Sequence, residues 1–458
     1  MITRILLGSL LGAASLVTAA AVPATGDHGR TVGYEGMRLT VPDHWRVVDL
    51  DRNPATCLRL DVPTLYLGRA GDQAACAGRP AATRADTLHL EPLAGAPERA
   101  DVPTVEVPVG TAVPGTSPGP ADGSHEVRYV LRQAGVVATA SYADTPAAVR
   151  GVMERATTTG AVRPGTRPAT PAAAGVVRTQ PPYRGEGFDA CTAPAQSTMD
   201  TWWEHSPFGA VGVYIGGPAR ACAQPRLTAD WVREQARTGW HLMPIWVGPQ
   251  PWRGGSATAL STSADTAREQ GRTAADGAVA AARRLGLAEG TVLYNDLEHY
   301  SDRATWDAPV VSYLLAWTER LHELRYRSGV YASASSGVKA LSRFHDRAPA
   351  SMPDVLWAAA WNRQASVTDA DMGLPAGTAQ WTGGRRAHQF RGDHDATYGG
   401  LTLNIDRNWL DVSVTAAPTA PEPEDDDVEP AEDEEDDAET DTGSGAGSLA
   451  TAPGRTAS

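Results

Sequence analysis

The sequence predicts an α/β protein: a (β/α)8 barrel of the TIM type, preceded by a small α+β domain and followed by a disordered acidic tail. Three observations lead there. Residues 183–414 alternate eight apolar strand patterns with helical ones. A Pro-, Ala- and Thr-rich stretch, AVRPGTRPATPAAAGVVRTQPP, separates that region from the one before it. The net charge of −14 sits almost wholly in residues 422–441, which hold 14 acids, so the body of the protein is close to neutral.

The chain opens as a secretory signal, residues 1–21. Arg4 precedes an apolar run from Ile5 to about Val17, and Ala19, Ala20 and Ala21 offer a small-residue cleavage region. The run is short for a membrane span, though an uncleaved N-terminal anchor is the alternative. The expected location is therefore secreted or associated with the cell envelope, with no stable membrane insertion once the signal is removed. Residues 31–160 form the small α+β domain. YEGMRLTVPDHWRVVDL and TLYLGRAG read as short strands between turn residues, and VRYVLRQAGVVATASYAD as a hairpin. TPAAVRGVMERATTTG reads as a helix with Val149, Val152 and Met153 on its apolar face. His44 and Trp45 fit core or turn positions, and nothing in this domain forms a reactive constellation.

Cys57 and Cys76 lie in this first region, Cys191 and Cys222 in the later one. In an oxidising compartment two such local pairs suggest two disulfides, each contributing roughly 3 kcal/mol in the chain-entropy model. No Cys-x-x-Cys or Cys/His cluster points to a metal, and no cofactor is expected. The nearly neutral body argues against nucleic-acid binding. A monomer is expected.

After the linker, residues 161–182, come the barrel strands GEGFDAC, AVGVYIGG, HLMPIWVG, TVLYNDLE, SGVYASAS and VLWAAAWN. A Gln/Trp-bearing segment within residues 377–390 and LTLNIDRN complete the eight. Helical patterns run through LTADWVREQARTG, GRTAADGAVAAARRLGL and APVVSYLLAWTERLHELRYR. In the last, Val311, Leu314, Leu315, Leu321 and Leu324 mark an apolar face. Eight strands suit a closed barrel better than an open doubly wound sheet, and no glycine-rich nucleotide loop is present; Gly216-Gly217-Pro218 reads as a turn. The tail, residues 415–458, cannot bury a core. It is a solvated repulsive segment or one that binds cations or basic polymers.

Barrels of this kind carry their chemistry at the C-terminal ends of strands. Those ends supply Asp189, then Asp296 and Glu298, then Tyr331, Trp361 and Asn362. Gln380, Trp381 and Gln389 come from the seventh segment, and Asp406 from the eighth. Asp296 and Glu298 stand two residues apart, so they share a strand face at roughly 7 Å. Paired carboxylates flanking one pocket are what glycosidic cleavage requires. Burial and mutual repulsion would raise one pKa enough to make a proton donor near neutrality. Asp189 could instead cap the following helix, and Asp406 could pair with Arg407.

Tryptophan supports a saccharide pocket: 12 of the 13 lie between Trp202 and Trp409, against four Phe in the whole chain. Flat indoles with an N–H suit sugar faces. Trp246, Trp252, Trp361 and Trp381 are the stacking candidates, whereas Trp231 and Trp317 fall in helical patterns and read as core. The loop cluster His388, Asp393, His394, Asp395 matches no metal-ligand spacing. Ser335 and Ser336 lack the G-x-S-x-G context of an esterase.

The ordered set GFDAC, NDLE, W-x-x-x-W, a Gln-bearing strand and IDRN resembles the family 25 glycoside hydrolases, the muramidases. GFDAC-x-x-P, YIGG and PIWVG are still more similar to a secreted actinobacterial glycoside-hydrolase-like domain family of unknown function. The resemblance covers about half of the chain, roughly residues 183–414. It implies Glu298 as general acid, Asp296 as stabiliser of positive charge, and Asp189 and Asp406 as groups that tune the pair and hold substrate or water. Tyr331, Trp246, Trp361, Gln380, Trp381 and Gln389 are the candidate substrate contacts. Ala190 and Cys191 stand where the muramidases carry polar residues; a Cys191–Cys222 bond would staple the first two strand-end loops beside the site. The expected function is an exported glycoside-hydrolase-like protein acting on peptidoglycan or a related cell-wall polysaccharide. The alternative is a non-catalytic carbohydrate-binding or envelope-organising barrel.

Overall fold

The computed structural model describes residues 29–78, 81, 83–97, 99, 102–107, 125–158, 180–252 and 258–413. The expected signal, the acidic tail and nearly all of the expected linker lie outside the described residues.

The N-terminal region comprises β1 (Gly29–Tyr34), β2 (Met37–Pro42), β3 (Arg46–Asp49), β4 (Thr64–Leu67), β5 (Thr87–Pro92), β6 (Thr104–Val107), β7 (Glu126–Leu131), β8 (Val136–Ser141), α1 (Ala147–Glu154) and β9 (Thr157–Thr158). Strands β1, β2 and β9 form one small sheet; the others form a six-stranded sheet in the order β3-β4-β5-β8-β7-β6. The hairpin read from the sequence is β7–β8, paired from Glu126–Ser141 to Leu131–Val136. Its turn closes through Gly135 at φ +66°, a left-handed position that suits glycine. Helix α1 buries Val149, Val152 and Met153 against Trp45 and the sheet, as its 3.6-residue spacing requires.

The second region runs β10 (Tyr183–Asp189), α2 (Gln196–His205), β11 (Phe208–Gly216), α3 (Ala229–Thr238), β12 (His241–Val247), α4 (Ala264–Arg284), β13 (Val292–Leu297), α5 (Arg303–Glu323), β14 (Arg327–Ser333), α6 (Gly337–Phe344), β15 (Val355–Ala359), α7 (Asp369–Met372), β16 (Arg385–Tyr398) and β17 (Leu401–Val412). The eight strands close into a barrel in chain order. Side-chain caps start the principal helices: Thr228 accepts from the Trp231 amide, Ser263 from Thr266 and Asp302 from Thr305. Alternation along the strands makes two cores. Met243, Ile245, Tyr294, Trp357 and Leu410 fill the barrel interior, while Leu242, Trp246, Leu293, Val330 and Leu356 face the helices.

One strand departs from the pattern of a uniform (β/α)8 barrel. Strands β10 to β16 run parallel, but β17 is antiparallel to both β16 and β10. The reason is local. Tyr398 and Leu401 are joined by Gly399 and Gly400, both at positive φ (+57° and +80°), a tight hairpin turn with no room for a crossover helix. Asp406 therefore sits in the middle of its strand, not at the C-terminal end. It still reaches the mouth, because the reversed strand places it directly opposite Asp189.

Candidate active site

Asp189 ends β10 and is 2% exposed. Its Oδ2 accepts hydrogen bonds from Asn408 Nδ2 (2.8 Å) and Gln389 Nε2 (3.2 Å), and its Oδ1 from the Tyr214 hydroxyl (3.5 Å). It does not cap α2, whose cap residue is Ala195. Gln389 Nε2 also donates to Asp406 Oδ2 (3.3 Å), so one amide bridges two carboxylates from different strands. Gln389 is held in that orientation from behind: its Oε1 accepts from the Tyr331 hydroxyl (3.0 Å) and from Trp361 Nε1 (2.9 Å). Asn408 is likewise oriented by Trp357 Nε1, which donates to its Oδ1 at 2.9 Å. Asp406 accepts from the Asp393 amide as well, while Arg407 turns away to pair with Glu186.

Asp296 and Glu298 complete the cluster at the end of β13. Gln250, in the loop after β12, fixes their backbone: its Nε2 donates to the Asp296 carbonyl (2.7 Å) and its Oε1 accepts from the Glu298 amide (2.8 Å). Asp296 is 2% exposed and its Oδ1 has no hydrogen-bond partner. Glu298 is half-buried at the mouth. Beside it, Ser335 Oγ lies 3.0 Å from His299 Nδ1 on the exposed rim.

Removing four carboxylates from water while holding them together raises every one of their pKa values. Burial is the leading cause throughout. It lifts Asp189 to about 6, tempered by its three hydrogen-bond donors, and Asp406 to about 8, helped by the Asp189 charge. Burial and then the charges of Glu298, Asp189 and Asp406 push Asp296 well above the usual carboxylate range. Glu298 is raised by burial and by Asp189, against the opposing hydrogen bond from the His299 amide. The cluster therefore retains protons at neutrality, the state a general acid needs.

The candidate substrate contacts divide. Tyr331, Gln389 and Trp361 converge on the carboxylates, and Trp361 is 60% exposed with its ring lying over Gly392. Gln380, Trp381 and Trp246 do not join them. Gln380 and Trp381 precede β16 and so lie toward the opposite end of the barrel. Gln380 bonds to Ser342 of α6, and Trp381 donates to the Pro353 carbonyl just before β15 and stacks edge-on with His345. Trp246 points outward from β12 into the core between barrel and helices, 1% exposed. Trp246 alternates with Met243 and Ile245, which fill the barrel, and shares the helix-facing side of β12 with Leu242, so parity rather than proximity decides. Trp252 is half-buried in the loop after β12, while Trp231 and Trp317 are core as expected. His388 is buried between the Ser366 and Ala360 carbonyls.

Tyr214, Gln250, Trp357 and Asn408 escaped the sequence reading. Three had a signal: Tyr214 is the first residue of YIGG, Trp357 the first of W-x-x-x-W, and Asn408 is two residues from Asp406 and so on the same face. Gln250 had only its place in a strand-end loop.

Two disulfides are formed, Cys57–Cys76 and Cys191–Cys222, with Cα atoms 5.7 and 5.9 Å apart. Among the described residues no group of His, Cys, Asp and Glu is arranged to hold a metal, and no helix is long and apolar enough to cross a membrane.

No curated protein matches the chain in sequence. Among solved structures it is similar to an uncharacterized B. stearothermophilus protein (21% identity, 49% of this chain and 95% of that one, TM-score 0.35). It is also similar to the Mycobacterium tuberculosis Tat-secreted protein Rv2525c (16% identity, 50% and 96%, TM-score 0.35). A third is the Clostridium perfringens spore cortex lytic enzyme SleM (16% identity, 50% and 67%, TM-score 0.33). Residues 200–410 match the model of the Rv2525c-like, glycoside hydrolase-like domain, a span that holds Asp296, Glu298 and Asp406 and begins just after Asp189. Residues 200–410 of this chain are thus similar to the Rv2525c-like, glycoside hydrolase-like domain family.

Proposed function

We propose that the protein is an exported glycoside hydrolase acting on cell-wall carbohydrate, peptidoglycan or a related polysaccharide. The observation that carries the reading is the convergence of four acids from three strands at one barrel mouth, Asp189 and Asp406 bridged by Gln389 and all four raised in pKa by burial. Surface charge does not arrange itself so; removing four carboxylates from water costs stability and persists where chemistry uses it. The two disulfides agree with an oxidising compartment.

In this reading Glu298, half-buried at the mouth, donates a proton to the departing glycosidic oxygen. Asp296, on the same strand face, holds its proton in the resting cluster; as positive charge develops on the sugar ring that proton passes to the Glu298 carboxylate just vacated, and the ionised Asp296 balances the charge. Asp189 and Asp406, held by Gln389 and Asn408, keep the cluster protonated between turnovers and orient the ring or the incoming water. Trp361, exposed at the rim, offers a flat face for a neighbouring sugar.

The test is release of soluble fragments from dye-labelled peptidoglycan by wild type and Glu298→Gln. Wild type releases label, and the variant loses about 10³-fold in rate, the usual scale for a general acid, while still sedimenting with the wall. An inert wild type that binds the wall as well as its Glu298→Gln variant refutes the hydrolase and leaves a binding barrel.

A further inference from the structure

Loops that follow barrel strands at the mouth ordinarily face solvent. Here those after β10 and β11 do not. Residues 191–194 and 216–224 are buried without a gap. The N-terminal region covers them. The Ala223 amide donates to the Leu58 carbonyl (3.0 Å), Leu60 to Ala221 (2.8 Å) and Ala81 to Ala219 (2.8 Å), so an N-terminal segment is laced along the second barrel loop. The two disulfides, one from each region, pack in a single cluster with Ala81 and Ala221. Beneath them Glu126 of β7 lies between Arg84 and Arg220, with side chains 2%, 1% and 2% exposed. Arg84 also donates to the Gly217 and Pro218 carbonyls, both at 3.2 Å.

The same covering reaches the carboxylates from two sides. A Cβ placed on Gly78 would lie 3.7 Å from the Tyr214 hydroxyl and 3.4 Å from the Cys191 nitrogen. The backbone there thus closes over the group that donates to Asp189. From the other side the Asn404 amide, two residues before Asp406, donates to the Ala74 carbonyl at 2.9 Å. The covering loop is itself held. Gln73 accepts from the Leu58 amide (2.8 Å) and donates to the Thr56 carbonyl (2.9 Å), and Cys76 is tied to Cys57. Across the mouth the rim is open: His299, Ser335 and Trp361 are exposed.

We infer that the N-terminal region is a wall of the site: residues 73–78 close the side of the mouth bounded by β10, β11 and β17, hold Asp189 and Asp406 in place, and, among the described residues, leave the rim of Glu298, Ser335 and Trp361 open to a ligand. The identity of that ligand as a glycan rests on the proposed function; the wall does not. Its residues are positioning residues, acting on the carboxylates through Tyr214 and Asn404.

The experiment compares the full chain with two variants that loosen the wall by different means. Cys57→Ala/Cys76→Ala opens the loop closure, and Asn404→Pro removes the amide that grips Ala74. Asn404→Ala, which keeps that amide, is the control. Carboxyls are labelled with a water-soluble carbodiimide and an amine, sites are read by mass spectrometry, and chitohexaose affinity is measured alongside. Labelling of Asp189 and Asp406 rises about fivefold in both loosened variants, the scale of one lost hydrogen bond, while Glu298 changes by less than about twofold. The control labels like wild type, and both loosened variants bind chitohexaose more weakly than wild type does. Unchanged labelling of Asp189 and Asp406 in both variants overturns the wall, as does a uniform rise at every carboxyl, which reports unfolding. Selective labelling in a wild type background that binds no chitohexaose keeps the wall and overturns the glycan reading instead.

Discussion

Replacing Asp189 with Asn should make the protein more stable at pH 8 and leave it unchanged at pH 4. In the folded state this carboxyl is buried and its pKa rises from 3.8 to about 6. An acid whose folded pKa is raised contributes its full stability below the unfolded value and loses it as pH climbs through the folded one. At about 1.4 kcal/mol per pH unit, the gap between 3.8 and 6 corresponds to about 3 kcal/mol of strain from holding Asp189 ionised at pH 8. Asparagine escapes it. Its carbonyl can take the place of Oδ2, accepting from Asn408 and Gln389, and its amide can donate to the Tyr214 hydroxyl. Because the four acids share one field, the realised gain is smaller, about 1–3 kcal/mol. Urea unfolding of both proteins at pH 4, 6 and 8 measures it. The difference should open between pH 4 and 8 and favour the variant. A difference independent of pH, or one favouring wild type at pH 8, would refute the claim that burial governs this carboxyl.

Glu126→Gln leaves Arg84 and Arg220 buried without their shared counter-charge, and should cost about 3–5 kcal/mol in denaturant unfolding; a loss below about 1 kcal/mol refutes the role of the triad. Trp361→Ala and Trp381→Ala should separate cleanly. The first weakens chitohexaose binding by about 1 kcal/mol with stability nearly intact. The second costs about 3–5 kcal/mol of stability with affinity unchanged, as calorimetry and thermal melts would show. Gln250→Leu removes the bridge between the Asp296 carbonyl and the Glu298 amide. It should lower kcat at nearly constant KM on labelled wall fragments; a rise in KM alone would place Gln250 in substrate binding instead.

Much of this was legible from residue order alone. Eight strand patterns, the apolar faces of α1 and α5, and the placing of Asp189, Asp296 and Glu298 follow from period and from the rule that strand ends carry function; Asp406 reaches the mouth from mid-strand, because β17 is reversed. Local physics writes such features into short windows of sequence: a two-residue alternation, a 3.6-residue stripe, a polar residue after an apolar run. The Gly399-Gly400 turn was equally local, and it alone reverses β17, yet its meaning depends on what the strands beside it do.

What the tertiary structure decided is which of those features meet. Trp246 and Trp381 look as suitable for a sugar as Trp361 does, but both are buried in the core between barrel and helices, Trp381 against Pro353 and His345. Gln389 became the hinge of the site because Tyr331 and Trp361 take its oxygen and leave its nitrogen for two acids. The N-terminal region, silent in sequence, stands against the mouth through backbone hydrogen bonds and a buried Arg84–Glu126–Arg220 triad. Backbone groups carry no residue signature, and a buried charge declares itself only beside its partner. The sequence by itself therefore determined the chemistry available; closure of the barrel and the seating of the N-terminal region decided where that chemistry is concentrated.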